Sequence, residues 1–182
     1  MLHPQDILVT LKLLSATSAE RATYAAFASA VLLSASETHA AVQRALKSGL
    51  ILPSGKSPAL AKLRPSTPAI HDLLCFGLRY LLPAEPGRIG PGLPTATSAP
   101  PLLGQIRPMA GFPHVSPHPK GSARGQIIEP IYKSAPAAAL RDPQLAEWLA
   151  LADALRLHYG RIADLARQEI RARLDKIPYA SA

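Results

Sequence analysis

The chain has 182 residues, a length that accommodates one domain, or one small domain with a large extension. Hydrophobic residues make up 48% of it but aromatic residues only 5%, so much of the apolar content is alanine, which favours helices around a modest core. Its net charge of +8 favours a polyanionic partner, and its single cysteine excludes an internal disulfide. Without a long apolar run or a signal pattern, we expect a cytoplasmic protein with no membrane partner.

Two helices are predicted before the first tight turn. Pro4 suits the first turn of a helix through QDILVTLKLL, whose apolar face carries Ile7, Leu8, Leu11 and Leu14. The polar stretch 15–22 ends this helix. A second, short helix follows in TYAAFASAV, with Thr23 as its N-cap.

The third predicted helix has the clearest start and stop signals. Ser34 stands three residues before Glu37, the spacing of a capping box, and Gly49 stands where a C-cap glycine belongs. We expect Thr38, Ala41, Val42 and Ala45 to face inward, and Ser36, His39, Ala40, Gln43, Arg44 and Lys47 to face outward. A hairpin should follow, with strands at 50–52 and 59–63 and a turn at 53–57 that carries Lys56.

The stretch TYAAFASAVLLSASETHAAVQRALKSGLI combines a small-residue helix, a tight turn, a second helix opened by LSAS, and a terminal SGLI that leads into the hairpin. In these features residues 5–63 resemble the winged helix-turn-helix domain of MarR-like bacterial transcription regulators. The turn departs from the family in having Leu32, where a glycine is usual. The resemblance covers about the N-terminal third of the chain and implies that residues 1–66 form a DNA-binding domain.

Basic residues are concentrated in this region, since residues 21–64 hold six Lys and Arg and one acid, Glu37. Each phosphate that a cation neutralises releases condensed counterions, which drives DNA binding. The third helix fits the major groove, where glutamine favours adenine and arginine favours guanine. The predicted contacts with bases and nearby phosphates are Ser34, Ser36, His39, Gln43 and Arg44. The predicted phosphate contacts are Thr23, Lys47 and Lys56.

The middle of the chain, residues 67–136, is predicted to be a buried helix followed by a proline-rich wrapping segment. PAIHDLLCFGLRYLL predicts a helix between Pro68 and Pro83, with a buried stripe of Ile70, Leu73, Leu74, Gly77, Leu78 and Leu81. Twelve of the nineteen prolines lie at 83–136. Apolar residues are too frequent there for a disordered linker, so we expect an ordered, irregular segment with a short strand at Gly125–Tyr132.

The C-terminal region, residues 137–182, is predicted to be helical. One apolar stripe runs from Leu145 to Leu155 and another from Tyr159 to Leu174, with Gly160 as a kink or helix end between them. Such an amphipathic pair either forms a dimer interface or packs on its own subunit. The fold class is thus mainly α, with an N-terminal winged helix-turn-helix.

No constellation of residues points to catalysis. His114 and His118 lie four residues apart but lack a third metal ligand nearby, and neither GRIGPG nor KGSARG fits a phosphate-binding loop. Cys75 lies in an apolar helix, where burial raises a thiol pKa and leaves it unreactive. We therefore predict neither an enzyme nor a metal or cofactor.

These observations favour a sequence-specific DNA-binding transcription regulator that acts as a homodimer on double-stranded DNA with two-fold-related half-sites. The alternative is an antitoxin or adaptor whose residues 83–182 bind a partner protein. RNA binding is a weaker hypothesis, because the only aromatic residues near the basic region, Tyr24 and Phe27, are expected in the core.

Overall fold

The computed structural model describes residues 1–54, 59–105, 111–157 and 160–177, and confirms a mainly α fold with short strands. The helices are α1 (Pro4–Ser15), α2 (Tyr24–Val31), α3 (Ala35–Lys47), α4 (Thr67–Asp72), α5 (Leu78–Leu81), α6 (Ala135–Ala139), α7 (Pro143–Arg156) and α8 (Gly160–Leu174). The strands are β1 (Ile51–Pro53), β2 (Leu63–Pro65), β3 (Ile89–Pro94), β4 (His114–Pro117) and β5 (Ala123–Ile127).

Helix α1 is the centre of the molecule and is buried on every side. Its buried residues include the predicted apolar ones and also Asp6, Thr10 and Lys12, and it contacts α2, α3, α7 and β2. The Thr10 hydroxyl donates to the carbonyl of Asp6 at 2.8 Å, and both charged side chains have ionic partners on other elements. Paired in this way, the polar residues of α1 are buried without loss of their hydrogen bonds.

Helices α2 and α3 cross at 94° and are joined by residues 32–34. The predicted caps are confirmed: Thr23 Oγ1 accepts from Ala26 N at 3.0 Å, and Ser34 Oγ accepts from Glu37 N at 3.1 Å. Leu32 adopts a left-handed conformation with φ 56° and ψ 45°, so leucine occupies the place for which glycine is the unstrained choice. Gly49, with φ 76°, ends α3 as predicted.

The hairpin forms, but its second strand was predicted too early. Strands β1 and β2 pair antiparallel, with Leu52 opposite Arg64. Residues 60–62 form a 3₁₀ turn, and the returning strand begins only at Leu63. Leu60 and Leu63 are both buried, and a spacing of three fits the three-residue repeat of that turn rather than strand alternation. The predicted turn residue Lys56 lies outside the described residues.

The predicted fourth helix is present, but α4 continues into α5 through a π-helical turn at Leu73–Gly77. A π turn inserts one extra residue and rotates the residues that follow it. The prediction that Leu81 is buried is wrong for this reason, because the rotation turns Leu81 to the solvent. Phe76 and Tyr80 are exposed as well. Cys75 is buried as expected, and burial raises the pKa of its thiol to about 11.

The proline-rich segment contains a small closed sheet that the sequence did not predict. Strand β3 pairs antiparallel with both β4 and β5, and β4 pairs parallel with β5. The predicted strand at 125–132 begins earlier and ends at Ile127. The strands approach so closely that a Cβ on Gly92 would overlap the Ser116 carbonyl, and one on Gly125 the Pro113 carbonyl. The glycines of this segment therefore serve close packing.

The C-terminal helices pack on their own subunit. Asp142 caps α7, and α7 is buried without interruption from Trp148 to Arg156. The buried side of α8 packs on α7 and α4 and carries Ile162, Ala163, Ala166, Ile170 and Leu174. Both predicted apolar stripes are thus covered within the chain over the described residues. Among those residues, no single helix is long and apolar enough to cross a membrane; only the bent pair of α2 and α3 passes that test, by length and composition alone.

Candidate nucleic-acid interface

One side of α3 is open to solvent along its whole length. Ser36, His39, Gln43 and Lys47, hereafter the outer stripe, are all exposed, and they recur at helical spacing on one face. The four residues predicted to face inward, Thr38, Ala41, Val42 and Ala45, are all buried. The helix has 13 residues and is about 20 Å long at its normal rise, and the outer stripe presents polar groups over about three of its turns.

The prediction that Arg44 faces outward is wrong, because its guanidinium group is bound by Asp6 of α1. Its Nε donates to Asp6 Oδ2 at 2.8 Å and an NH2 nitrogen donates to Asp6 Oδ1 at 2.7 Å. The hydrogen bond to Asp6 raises the pKa of Arg44, and the Asp6 side chain is fully buried. This bidentate pair joins α3 to α1, so the predicted readout of guanine by Arg44 has no geometric support.

Tyr24, expected to be a core residue, supports two members of the outer stripe. Its ring contacts the His39 imidazole edge-on, with centroids 5.0 Å apart. Burial raises the pKa of the Tyr24 phenol, and a hydrogen bond with Gln43 partly offsets that effect. The first residue of α2 therefore orients His39 and Gln43 from beside α3. Nothing in the sequence distinguishes this position from an ordinary inward-facing aromatic.

Two of the residues predicted to contact DNA, Thr23 and Ser34, are helix caps. Ser34 donates to Glu37 Oε2 from its hydroxyl at 2.7 Å and from its backbone nitrogen at 2.9 Å. These bonds lower the pKa of Glu37, which stays ionised at the exposed start of α3. Thr23 and Ser34 are exposed, but their hydroxyl groups already have partners within the chain.

A basic residue from the middle of the chain lies at the start of α3. The Lys133 ammonium group is close enough to Glu37 to lower the pKa of that carboxyl. Its position follows from the next residue, because the Ser134 hydroxyl donates to the carbonyl of Val31 at 2.8 Å. Lys133 was not among the predicted site residues, since no local pattern indicates that this segment returns to the α2–α3 turn.

A second group of cations lies on the hairpin and beside it: Lys62 and Arg64 belong to the hairpin, and Arg21 contacts it from the segment before α2. Arg21 donates to the carbonyls of Ala61, at 3.3 Å, and Leu63, and so ties the segment before α2 to the hairpin. Burial and the nearby charge of Arg64 lower the pKa of Arg21. Lys62 and Arg64 are exposed. The basic excess of residues 21–64 is therefore divided between structural cations and cations that remain available to a ligand.

Comparisons of the chain with protein-family models, with curated proteins and with solved structures give no match. Among the described residues, no group of three or more His, Cys, Asp or Glu side chains is placed to hold a metal ion. The function is accordingly inferred from the geometry and charge of the outer stripe and the hairpin.

Proposed function

We propose that this chain is a sequence-specific DNA-binding transcription regulator rather than an enzyme, and that α3 enters the major groove. The observation that carries the proposal is the outer stripe: a polar, exposed helix face presented by two helices that cross at 94°. In DNA-binding helix-turn-helix motifs, the two helices are typically joined by a turn of about three residues and cross at about 90–120°. In this proposal the hairpin after α3 serves as the wing of a MarR-like winged helix-turn-helix, and residues 1–66 are the DNA-binding domain.

Three members of the outer stripe, and three cations beside it, have specific roles in this proposal. Ser36 lies near the start of α3, where a short side chain lets the helix approach the bases closely. Gln43 is the direct base reader, because its amide pairs in bidentate fashion with adenine. Lys47 at the end of α3 and Lys133 beside its start bind phosphates on either side of the groove, and Lys62 and Arg64 add contacts from the hairpin.

Three carboxyl groups of the described residues support a role other than catalysis. The buried Asp6 is paired with Arg44, the partly buried Asp142 with Lys12, and the buried Asp153 with Arg156. A general acid or base has to reach a substrate proton, whereas these carboxylates are already held by cations of the same chain.

We further propose that the regulator acts as a homodimer. The apolar sides of α7 and α8 are covered within the chain, so the dimer surface lies elsewhere. Phe76, Tyr80 and Leu81 are 59%, 72% and 57% exposed and follow each other around the π turn and α5. Exposed aromatic side chains that are grouped in this way mark contact surfaces. A dimer through this face would present two copies of α3 to two-fold-related half-sites.

The test is selection of bound duplexes from a random DNA library, followed by affinity measurements on the selected sequence. Wild-type protein should enrich a two-fold-related motif. Gln43→Ala should lose the preference at one base pair in each half-site, while Gln168→Ala, which removes an exposed glutamine from α8, should behave as wild type. Absence of any enriched motif, or an unchanged motif with Gln43→Ala, would refute base readout by α3.

A second candidate function, an adaptor or antitoxin that holds a partner protein through residues 83–182, is favoured by the exposed apolar side chains of that region. Leu103, Phe112 and Leu140 are 61%, 56% and 48% exposed. Light scattering and co-purification separate the two candidates. The homodimer gives twice the chain mass and is dissociated by Tyr80→Ser. An adaptor gives a stoichiometric heterocomplex that is lost with Phe112→Ser or Leu140→Ser instead.

A further inference from the structure

A deep cleft lies between the closed sheet, α6 and α7. Its volume is about 330 Å³. One wall comes from the end of β3 and the residues that follow it, including Leu93 and Thr95. The other walls come from α6 and α7, including Ala139, Ala146 and Leu149. Most of the lining is aliphatic or proline, the composition expected of a site for a small apolar molecule.

The polar side chains of the cleft are few: two hydroxyl groups, of Thr95 and Ser116, and two carboxyl groups, of Glu147 and Asp153. Asp153 lies at the buried end, where Thr95 Oγ1 donates to its Oδ2 at 2.7 Å and Arg156 donates to its Oδ1 at 2.8 Å. Each carboxylate oxygen has a second lone pair for a further donor. Glu147 lines the wall and is paired with Arg173 at 2.7 Å, and among the described residues that line the cleft there is no Lys, Arg or His. The cleft therefore suits a ligand that donates a hydrogen bond and disfavours a carboxylate or phosphate.

The size of the cleft limits the ligand. An apolar cavity of about 150 Å³ accommodates benzene, and this cleft has about twice that volume. A molecule of about two fused rings fills it. Burial raises the pKa of Asp153, although the charge of Arg156 and the Thr95 and Arg156 hydrogen bonds act in the opposite direction. The carboxyl group thus gains from an additional donor in this desolvated position.

We propose that this cleft binds a compact apolar molecule, of about the size of two fused rings, that carries a hydroxyl or amino donor for Asp153.

Calorimetric titration of the full chain tests the site without reference to DNA. The probes are naphthol, naphthylmethylamine and naphthoate, which share a ring system and differ in the polar group. Naphthol and the amine should bind, and naphthoate should bind at least about tenfold more weakly, since no cation lines the cleft. Equal binding of the three probes, or binding of none, overturns the proposal.

Two variants locate the binding. Ala146→Phe fills the cleft and should abolish naphthol binding, whereas Gln144→Phe adds the same ring to an exposed position of α7 and should leave it unchanged. Thr95→Val removes the hydroxyl beside Asp153 without filling the cleft. The change leaves Asp153 Oδ2 without its Thr95 donor, so the naphthol hydroxyl should bind about tenfold more tightly, which keeps the site testable if Ala146→Phe does not fold. Unchanged binding in a folded Ala146→Phe or in Thr95→Val places the ligand elsewhere and overturns the site.

Discussion

Helix α1 and the outer stripe of α3 use polar residues in opposite ways. Asp6 and Lys12 of α1 are completely buried, and each is paired with charges from other elements. The residues of the outer stripe are exposed, and the structure requires none of them as an ion-pair partner inside the core. Both uses occur at adjacent residues of α3, since Arg44 is paired with the buried Asp6 whereas Gln43 faces solvent. A basic residue on a predicted recognition helix is therefore not, by itself, a DNA contact.

The largest effect that this comparison predicts is at Arg44. Arg44→Met leaves the Asp6 carboxylate buried without its cation and should lower the free energy of unfolding by about 3–5 kcal/mol. Urea denaturation at neutral pH measures this loss. The double variant Asp6→Asn/Arg44→Met removes the unpaired charge and should recover part of it. A single variant as stable as wild type would show that the pair does not join α1 to α3.

The second prediction concerns Lys12, whose ammonium group lies 2.7 Å from both Glu20 Oε1 and Asp142 Oδ2. Lys12→Met should cost about 2 kcal/mol at neutral pH, because both carboxylates keep other donors. Burial alone would raise the pKa values of Glu20 and Asp142. The hydrogen bonds from Lys12 and neighbouring donors, together with the charge of Lys12, lower them by more, so both pKa values are below normal.

These two lowered pKa values determine how the loss of stability in Lys12→Met depends on pH. The stability they contribute is complete above the pKa of the carboxyls in the unfolded chain, about 4, and is lost as the pH falls through the lowered values of the folded state. The difference in unfolding free energy between wild type and Lys12→Met should be largest at neutral pH and shrink below about pH 4. A difference that is independent of pH would contradict the assigned ion pairs.

How much of this was predictable from the sequence depends on the range of the interaction. The caps at Thr23, Ser34 and Gly49 are local, so their residues and spacing were sufficient. The pairing of Arg44 with Asp6 joins positions 38 residues apart, and helical periodicity places Arg44 at the border between the two faces. The closed sheet was not predicted either, because its glycines and prolines break strand alternation and its pairing is decided by close packing between distant segments.

The exposed residues of the outer stripe should matter for DNA binding and not for stability. His39→Ala and Gln43→Ala should change the free energy of unfolding by less than about 0.5 kcal/mol, as expected for exposed positions without a buried partner. Gln43→Ala should nevertheless lose about 1–3 kcal/mol of discrimination at one base pair of the selected duplex. Competition binding with matched and substituted duplexes measures the second quantity. A loss of stability equal to that of Arg44→Met would place Gln43 with the structural residues.

The smallest predicted effect is at Lys47, an exposed cation at the end of α3. Lys47→Gln should weaken binding to all sequences alike and reduce the slope of log K against log salt by about 1. Lys176→Gln, which removes an exposed lysine after α8, is the matched control and should leave the slope unchanged. Equal slopes for Lys47→Gln and wild type would remove Lys47 from the interface.

Binding of DNA by α3 can be tested by a nuclear magnetic resonance titration of the full chain with the selected duplex, read at each backbone amide. The largest shift changes should fall on residues 34–47 and on the hairpin at 51–65, and above all on the outer stripe. Shift changes confined to residues 67–177, with α3 unaffected, would contradict the central claim that the exposed face of α3 binds DNA.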